Sequence, residues 1–247
     1  RWLAYRKFLA YERNLYRRFD LSLSITEPDR LMMIEELGLQ PDQVLVTSNG
    51  VDTVFNRLGP GCPESESLIY TGAVTYSANY DAVEYFVNSI YPLVLQEFPN
   101  SRLRVTGRTG DVNISSLTKS GNVEFTGYVD DIRPLVDESA VCVVPLRMGG
   151  GTRLKILEAM SLGVAVVSTS KGAEGLEVAD GEHLLIADTP EEFAAAVTRL
   201  LRSPELRAKL IENAAHHVRA LYEWDSIAKC LRNEIAALLD ARQAGKG

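Results

Sequence analysis

The chain has 247 residues, of which 46% are hydrophobic and 24% charged, with a formal net charge of −7; that suffices for one large domain, or a domain plus a smaller unit, with a sizeable core. The acidic balance excludes a general grip on a nucleic-acid backbone, so any anion site must be local. No apolar stretch approaches the roughly 20 residues that span a bilayer, and Cys62, Cys142 and Cys230 are far apart without a CxxC pair, which reads as a reducing, cytosolic compartment.

In chain order, Trp2, Leu3, Phe8, Leu9, Leu15 and Tyr16 recur at roughly helical spacing and predict a helix over Trp2–Arg18. A first residue Arg1 and an opening in mid-helix create the expectation that an upstream segment has been removed. Arg1, Arg6, Lys7, Arg13, Arg17 and Arg18 give this opening a basic face that could touch an anionic membrane surface, though packing on an absent domain accounts for it better. An apolar run Leu21–Ile25, a helix around Pro28–Leu37 and a second run Val44–Thr47 make one α/β edge, too small to fold alone. After a Gly/Pro-rich loop, Asn56–Pro63, strands are expected at Leu68–Thr71, Leu103–Thr106, Val123–Thr126, Val141–Pro145, Val164–Ser168 and Leu184–Ala187. Helices are expected between them at Asn79–Phe98, Asp131–Glu138 and Thr152–Leu162. Alternating βα units imply a parallel sheet, and strands that are continuous apolar runs imply helices on both of its faces, a doubly wound domain. Three helices, Pro190–Arg202, Pro204–Leu221 and Trp224–Ala241, close the chain.

Ligands of a doubly wound sheet bind beyond the carboxyl ends of its strands. The turn to inspect there is Arg147-Met-Gly-Gly-Gly-Thr152, between the strand ending at Pro145 and the helix Arg153-Leu-Lys-Ile-Leu-Glu-Ala-Met160. Gly149, Gly150 and Gly151 let backbone approach a ligand closely, and the helix start offers unpaired N–H groups and the positive dipole end to a phosphate. Arg153 and Lys155 add cationic donors. Lys155 and Glu158, three residues apart, share a helix face, and a carboxylate there suits neutral hydroxyls such as those of ribose better than phosphate. The bland alternative is a flexible turn with a surface Lys155–Glu158 pair worth about 0.3 kcal/mol. Neither G-x-x-x-x-G-K-[ST] nor a strand leading into G-x-G-x-x-G is present, so ATPase and NAD readings lose ground.

The stretch Gly149-Gly-Gly-Thr-Arg-Leu-Lys-Ile-Leu-Glu-Ala-Met160, continued through Ser161-Leu-Gly-Val-Ala-Val-Val-Ser168 to Thr169, closely resembles the donor motif of family 4 glycosyltransferases (glycosyl transferases group 1). Ser48-Asn-Gly-Val-Asp52, Val123-Glu-Phe-Thr-Gly-Tyr-Val129, Gly172-Ala-Glu-Gly-Leu176, Asp180-Gly181 and Tyr222-Glu-Trp224 match in the expected order, and Asp20–Glu27 is similar to the last strand of the amino-terminal domain with its turn. The resemblance implies a GT-B fold: a doubly wound Rossmann-like domain over 48–222, a remnant of a second, acceptor-side α/β domain over 1–47, and a helix over 223–247 that crosses back to it.

The function so implied is retaining transfer of a sugar from a nucleotide-diphosphate sugar to an acceptor hydroxyl, in polysaccharide or glycoconjugate synthesis. The expected partners are the nucleotide-sugar donor and, through the absent half, a glycan or lipid-linked acceptor; no nucleic acid is expected, and the truncated chain alone should be inactive. A cytoplasmic protein, peripheral at the inner membrane face, fits this. No cofactor and no metal are expected, since no Asp-x-Asp occurs and His183, His216 and His217 make poor ligands. The donor-binding residues implied are Gly72, Arg108, Tyr128, Val129, Gly149, Gly150, Gly151, Thr152, Arg153, Lys155 and Glu158, with Glu158 similar to the family's ribose-binding glutamate. Two departures stand out. Gly150 replaces the first of two glutamates that the family usually spaces eight apart, and Gly72 is followed by Ala73 with no cation before Asn79. Arg153 and Lys155, with Arg108, are therefore expected to meet the diphosphate charge. A non-catalytic sugar-nucleotide-binding module and a GT-B epimerase remain alternatives; a purely structural domain would leave the Gly-rich turn unexplained.

Overall fold

The structure, a computed structural model, describes residues 2–57, 64–110, 112–118 and 121–244, so Cys62 and part of the Gly/Pro-rich loop lie outside the described residues. The chain divides into two compact units, 1–50 together with 224–247, and 51–223.

The smaller unit opens with α1 (Trp2–Tyr16), β1 (Ser22–Ser24), α2 (Glu27–Leu37) and β2 (Val44–Val46). β1 and β2 pair in parallel, Ser22 opposite Val44, with α2 as the crossover. Local chemistry sets the bounds of α2: Thr26 caps its start by accepting from the Asp29 amide, Pro28 sits in the first turn, and Gly38 ends it in the left-handed region at φ 71°. Leu37, Leu39 and Val44 form its small core. Gly50 is obligatory, because a Cβ there would lie 2.8 Å from the Trp224 ring.

In the larger unit, β3 (Ser67–Thr71), α3 (Ser77–Tyr85), α4 (Tyr91–Glu97), β4 (Arg102–Thr106), β5 (Val123–Gly127), α5 (Arg133–Asp137) and β6 (Val141–Val144) come first. Then follow α6 (Leu154–Leu162), β7 (Ala165–Ser168), α7 (Ser170–Ala173), β8 (Leu185–Ile186), α8 (Pro190–Arg202) and α9 (Pro204–Leu221); α10 (Trp224–Ala244) returns to the smaller unit. The six strands make one sheet in the order β5-β4-β3-β6-β7-β8, every pairing parallel. All residues of β3, β6 and β7 are buried, which is why their sequences do not alternate. The ends of the unit are tied together where the Val51 amide donates to the Tyr222 carbonyl at 2.7 Å and Thr53 Oγ1 to Glu223 Oε1 at 2.8 Å.

The single helix expected over Asn79–Phe98 is instead α3, a π turn over Phe86–Ile90, and α4. Pro92 lacks an N–H and its ring would collide with the carbonyl four residues back; the wider turn, closed by the Tyr91 amide on the Phe86 carbonyl, absorbs that conflict. It also turns Phe86 inward, 5.7 Å from the ring of Tyr91 and 6.0 Å from that of Phe193 on α8. The helix expected from Thr152 begins at Leu154, because the glycine turn runs to that point. The short α7 was not anticipated; Thr169 caps it through the Gly172 amide. No helix among the described residues is long and apolar enough to cross a membrane.

Phe193 is fully buried at the centre of this cluster. Phe193→Ala is expected to cost about 3–5 kcal/mol of stability, read as a lower urea midpoint with an unchanged slope.

Candidate functional site

The strand order reverses at β3, which has β4 on one side and β6 on the other. The turns leaving β3 and β6 therefore diverge and open a crevice at the carboxyl edge of the sheet. Its larger lobe, about 400 Å³, is lined by Thr71, Gly72, Thr106, Gly107, Tyr128, Val129, Asp130, Ile132, Lys155 and Glu158. A smaller lobe of about 170 Å³ shares Thr71, Asp130, Ile132, Lys155 and Glu158 and adds Phe55, Asn56 and Arg133, among others. One cleft thus runs across the ends of β3, β4 and β5.

Two glycines let its walls meet. Gly72 has φ 148° and Gly107 φ 115°, and a Cβ on Gly107 would stand 2.7 Å from the backbone of Gly72 and Ala73, so the turns after β3 and β4 are in direct main-chain contact. A Cβ on Gly72 would stand 2.9 Å from Lys155 Nζ.

Lys155 is half-buried in the first turn of α6, with its ammonium 4.2 Å from the Tyr70 ring centre, donating to Tyr70 Oη at 3.0 Å and Asn79 Oδ1 at 3.1 Å. Burial pulls its pKa down to about 8. Glu158, on the same face, is also half-buried; burial raises its carboxyl, and the Lys155 charge opposes that shift. Beneath Lys155 the Cys142 thiol is pushed up to about 12 by burial, so it is neutral and no nucleophile. Burial raises the Tyr70 hydroxyl as well.

Of the eleven residues expected at the site, Gly72, Tyr128, Val129, Lys155 and Glu158 line the cleft. Arg108 stands at its rim, exposed, with its guanidinium 5.3 Å from the Tyr128 ring centre. Gly149 (φ 105°) and Gly151 (φ 80°) take conformations that favour glycine, and nothing lies within 4 Å of a Cβ on Gly150, which leaves its outer side open. Thr152 buries an Oγ1 with no partner.

Arg153 is turned inward at the base of the loop. It is 8% exposed, and its two Nη atoms donate to the carbonyls of Gly150 (2.9 Å), Gly149 (3.0 Å) and Lys171 (3.3 Å). Both Nη atoms are engaged by backbone, because a loop rich in positive-φ glycines leaves carbonyls without helix or strand partners, while the buried Nε has no partner in the protein. Through these bonds Arg153 braces the turn. Sequence reasoning missed Tyr70, Asn79, Thr71, Thr106, Asp130 and Ile132. Thr106 is 1% exposed and its Oγ1 has no partner in the protein. A polar side chain at the last residue of an apolar strand, as at Thr71 and Thr106, was the available signal. His183 and His217 stack at 4.0 Å on β8's approach and α9, away from the cleft residues.

Arg153→Lys, with one point-like donor group in place of the guanidinium fork, is expected to speed amide hydrogen exchange over residues 149–152 and leave β6 and β7 protected, measured by mass spectrometry.

The sequence profile described as "Glycosyl transferases group 1" matches residues 65–203. A phosphatidyl-myo-inositol mannosyltransferase of Mycolicibacterium smegmatis is 24% identical over 216 residues, 83% of this chain and 54% of its own. A putative glycosyltransferase of Bacillus subtilis, YtcC, is 33% identical over 129 residues, 50% of this chain and 32% of its own. The solved structure of Anabaena HepE in complex with UDP superposes with a TM-score of 0.76 at 16% identity, covering 93% of this chain and 67% of that one. The carboxyl-terminal domain of a group 1 family glycosyl transferase (LpcC) from Francisella tularensis, covered in full, gives 0.59 at 20% identity over 71% of this chain. The chain spans about half the length of the curated relatives it matches.

Proposed function

The chain belongs to the glycosyl transferases group 1 family, with the GT-B fold, and from that premise we propose that its 51–223 unit holds the nucleotide-diphosphate part of a sugar donor for retaining, family 4-type transfer to an acceptor hydroxyl. The observation that carries the reading is the Lys155 ammonium, held at the cleft wall beside Gly72 with Glu158 on the same helix face. A fixed cation, the start of α6 and close-lying glycine backbone are what a diphosphate leaving group requires as charge builds on it. Glu158 is suited to accept from ribose hydroxyls, and the side chains of Val129 and Ile132, which also line the cleft, to flank the base. Tyr128, Val129 and Gly149–Thr152 complete the donor pocket in this reading, with Arg108 at its rim.

The charge is met by protein groups, which supports metal-independent transfer without a cofactor. A glycan or lipid-linked acceptor, in polysaccharide or glycoconjugate synthesis, would be held by the segments that relatives have and this chain does not span, so the chain alone is expected to bind donor without turning it over. The free thiols of Cys142 and Cys230 support a reducing, cytoplasmic setting; a peripheral contact of the whole protein at the inner membrane face would belong to its acceptor side.

Titration calorimetry with UDP-, GDP- and ADP-sugars tests this. Saturable binding of one nucleotide class is expected, weakened about 10–100-fold by Lys155→Ala, the worth of one charge-assisted hydrogen bond, and by about tenfold in Glu158→Ala. Absence of binding to every donor sinks the reading. The pH profile supplies a further check. A diphosphate needs the charged lysine, so affinity should fall as pH rises through about 8. Folding responds with the opposite sign: because the folded pKa lies below the ordinary 10.5, the penalty for burying the charge is present below about 8 and is relieved as pH rises toward 10.5. Affinity flat from pH 7 to 9.5 would remove Lys155 from the site.

A further inference from the structure

We propose that Asn79, together with Tyr70, is the positioning residue that holds Lys155 for the diphosphate and joins the turn after β3 to α6. The proposal rests on the donor-binding reading of the cleft.

A lysine side chain is long, flexible and strongly hydrated, and a half-buried one points into water unless something holds it. Here the holders form a closed chain with one consistent direction of donation. Lys155 Nζ donates to Tyr70 Oη at 3.0 Å and to Asn79 Oδ1 at 3.1 Å; Tyr70 Oη donates its proton to the same Oδ1 at 2.8 Å; Asn79 Nδ2 donates to the Ala73 carbonyl at 2.9 Å. The last bond fixes which way the amide faces, since the reverse orientation would set two oxygens against each other. Asn79, in the first turn of α3, therefore grips the turn after β3 with its nitrogen and the lysine of α6 with its oxygen.

An ammonium has three donors, and two are engaged. The remaining direction is bounded by Gly72, where a Cβ would stand 2.9 Å from both Nζ and Asn79 Nδ2. The third N–H is thus left for a ligand at the wall that Gly72 and Lys155 share. The stretch from Ala73 to Asn79 holds no cation of its own, so the cradle brings one from α6 to the turn after β3. The groups that face the ammonium are Tyr70 on β3, Cys142 on β6, and Arg153 and Glu158 at α6, with Asn79 the neutral amide among them.

The test uses the chain as it stands, with UDP, GDP and ADP and the matching nucleosides as probes, binding followed by calorimetry and by ligand-detected NMR, and folding checked by circular dichroism. Asn79→Ala is expected to weaken the diphosphate by about tenfold while nucleoside binding stays within about twofold. The pH midpoint of diphosphate binding should move down in Asn79→Ala, which removes an acceptor from the charged lysine, and up in Asn79→Asp, which adds a carboxylate. Asn79→Asp should lose still more affinity, by pairing with Lys155 and repelling the diphosphate. Tyr70→Phe keeps the ring and removes the hydroxyl, and gives a smaller loss in the same sense; it carries the test if the Asn79 variants fail to fold. Equal losses for nucleoside and diphosphate, unchanged diphosphate binding, or an unmoved midpoint overturn the positioning role. Absence of diphosphate binding in the unaltered chain overturns the donor reading and this proposal with it, and is told apart from the other outcomes because no variant is needed to see it.

Discussion

A positive charge held away from bulk water, at the end of a buried parallel strand, sets the terms for the whole carboxyl edge of the larger unit. Lys155 would leave that position if it were not supplied with oxygen acceptors and an aromatic face, and Tyr70 and Asn79 supply both. The space they occupy leaves none for a side chain at Gly72, and the resulting turn lies so close to the next that Gly107 must also be bare. Helical geometry then brings Glu158 to the same wall, one turn on from Lys155. The cleft's chemistry follows from where this one ammonium is kept.

The glycine-rich turn shows a second use of charge. Arg153 points inward and supports three carbonyls, while Arg147 points outward, forms a bidentate pair with Asp81 of α3 at 2.5 and 3.1 Å, and lies 4.3 Å from the Tyr85 ring centre. The exposed pair by itself contributes little to stability. Its value lies in attaching the outer part of the turn to α3, so that a segment of conformationally free glycines is held in place. The two arginines on either side of the glycines are thus parts of the scaffold, and the lysine is the group left facing the cleft.

Much of this was legible beforehand because parallel α/β architecture writes itself in local patterns. Buried strands read as unbroken apolar runs, and Pro190 and Pro204 mark helix starts. Gly149 and Gly151 announced a turn with positive φ, and the spacing of Lys155 and Glu158 announced a shared face. Legibility failed where two local rules competed. Helical periodicity through Asn79–Phe98 concealed the π turn that Pro92 requires, and the cationic character of Arg153 concealed that loop carbonyls engage both of its Nη atoms.

By itself the sequence determined the class of fold, the order of strands and helices, the family, and the place of the glycine-rich turn between β6 and α6, because each of these rests on periodicity, turn chemistry or motif spacing within a few residues. Only the tertiary structure decided which cation faces the cleft and which one braces the loop, and that Tyr70, Asn79 and Lys155, up to 85 residues apart, form one hydrogen-bonded group. The reason is physical: a side chain's role at a buried site is set by competition among all acceptors within reach, and reach is fixed by the crossing of β3, α3 and α6, which no local pattern records.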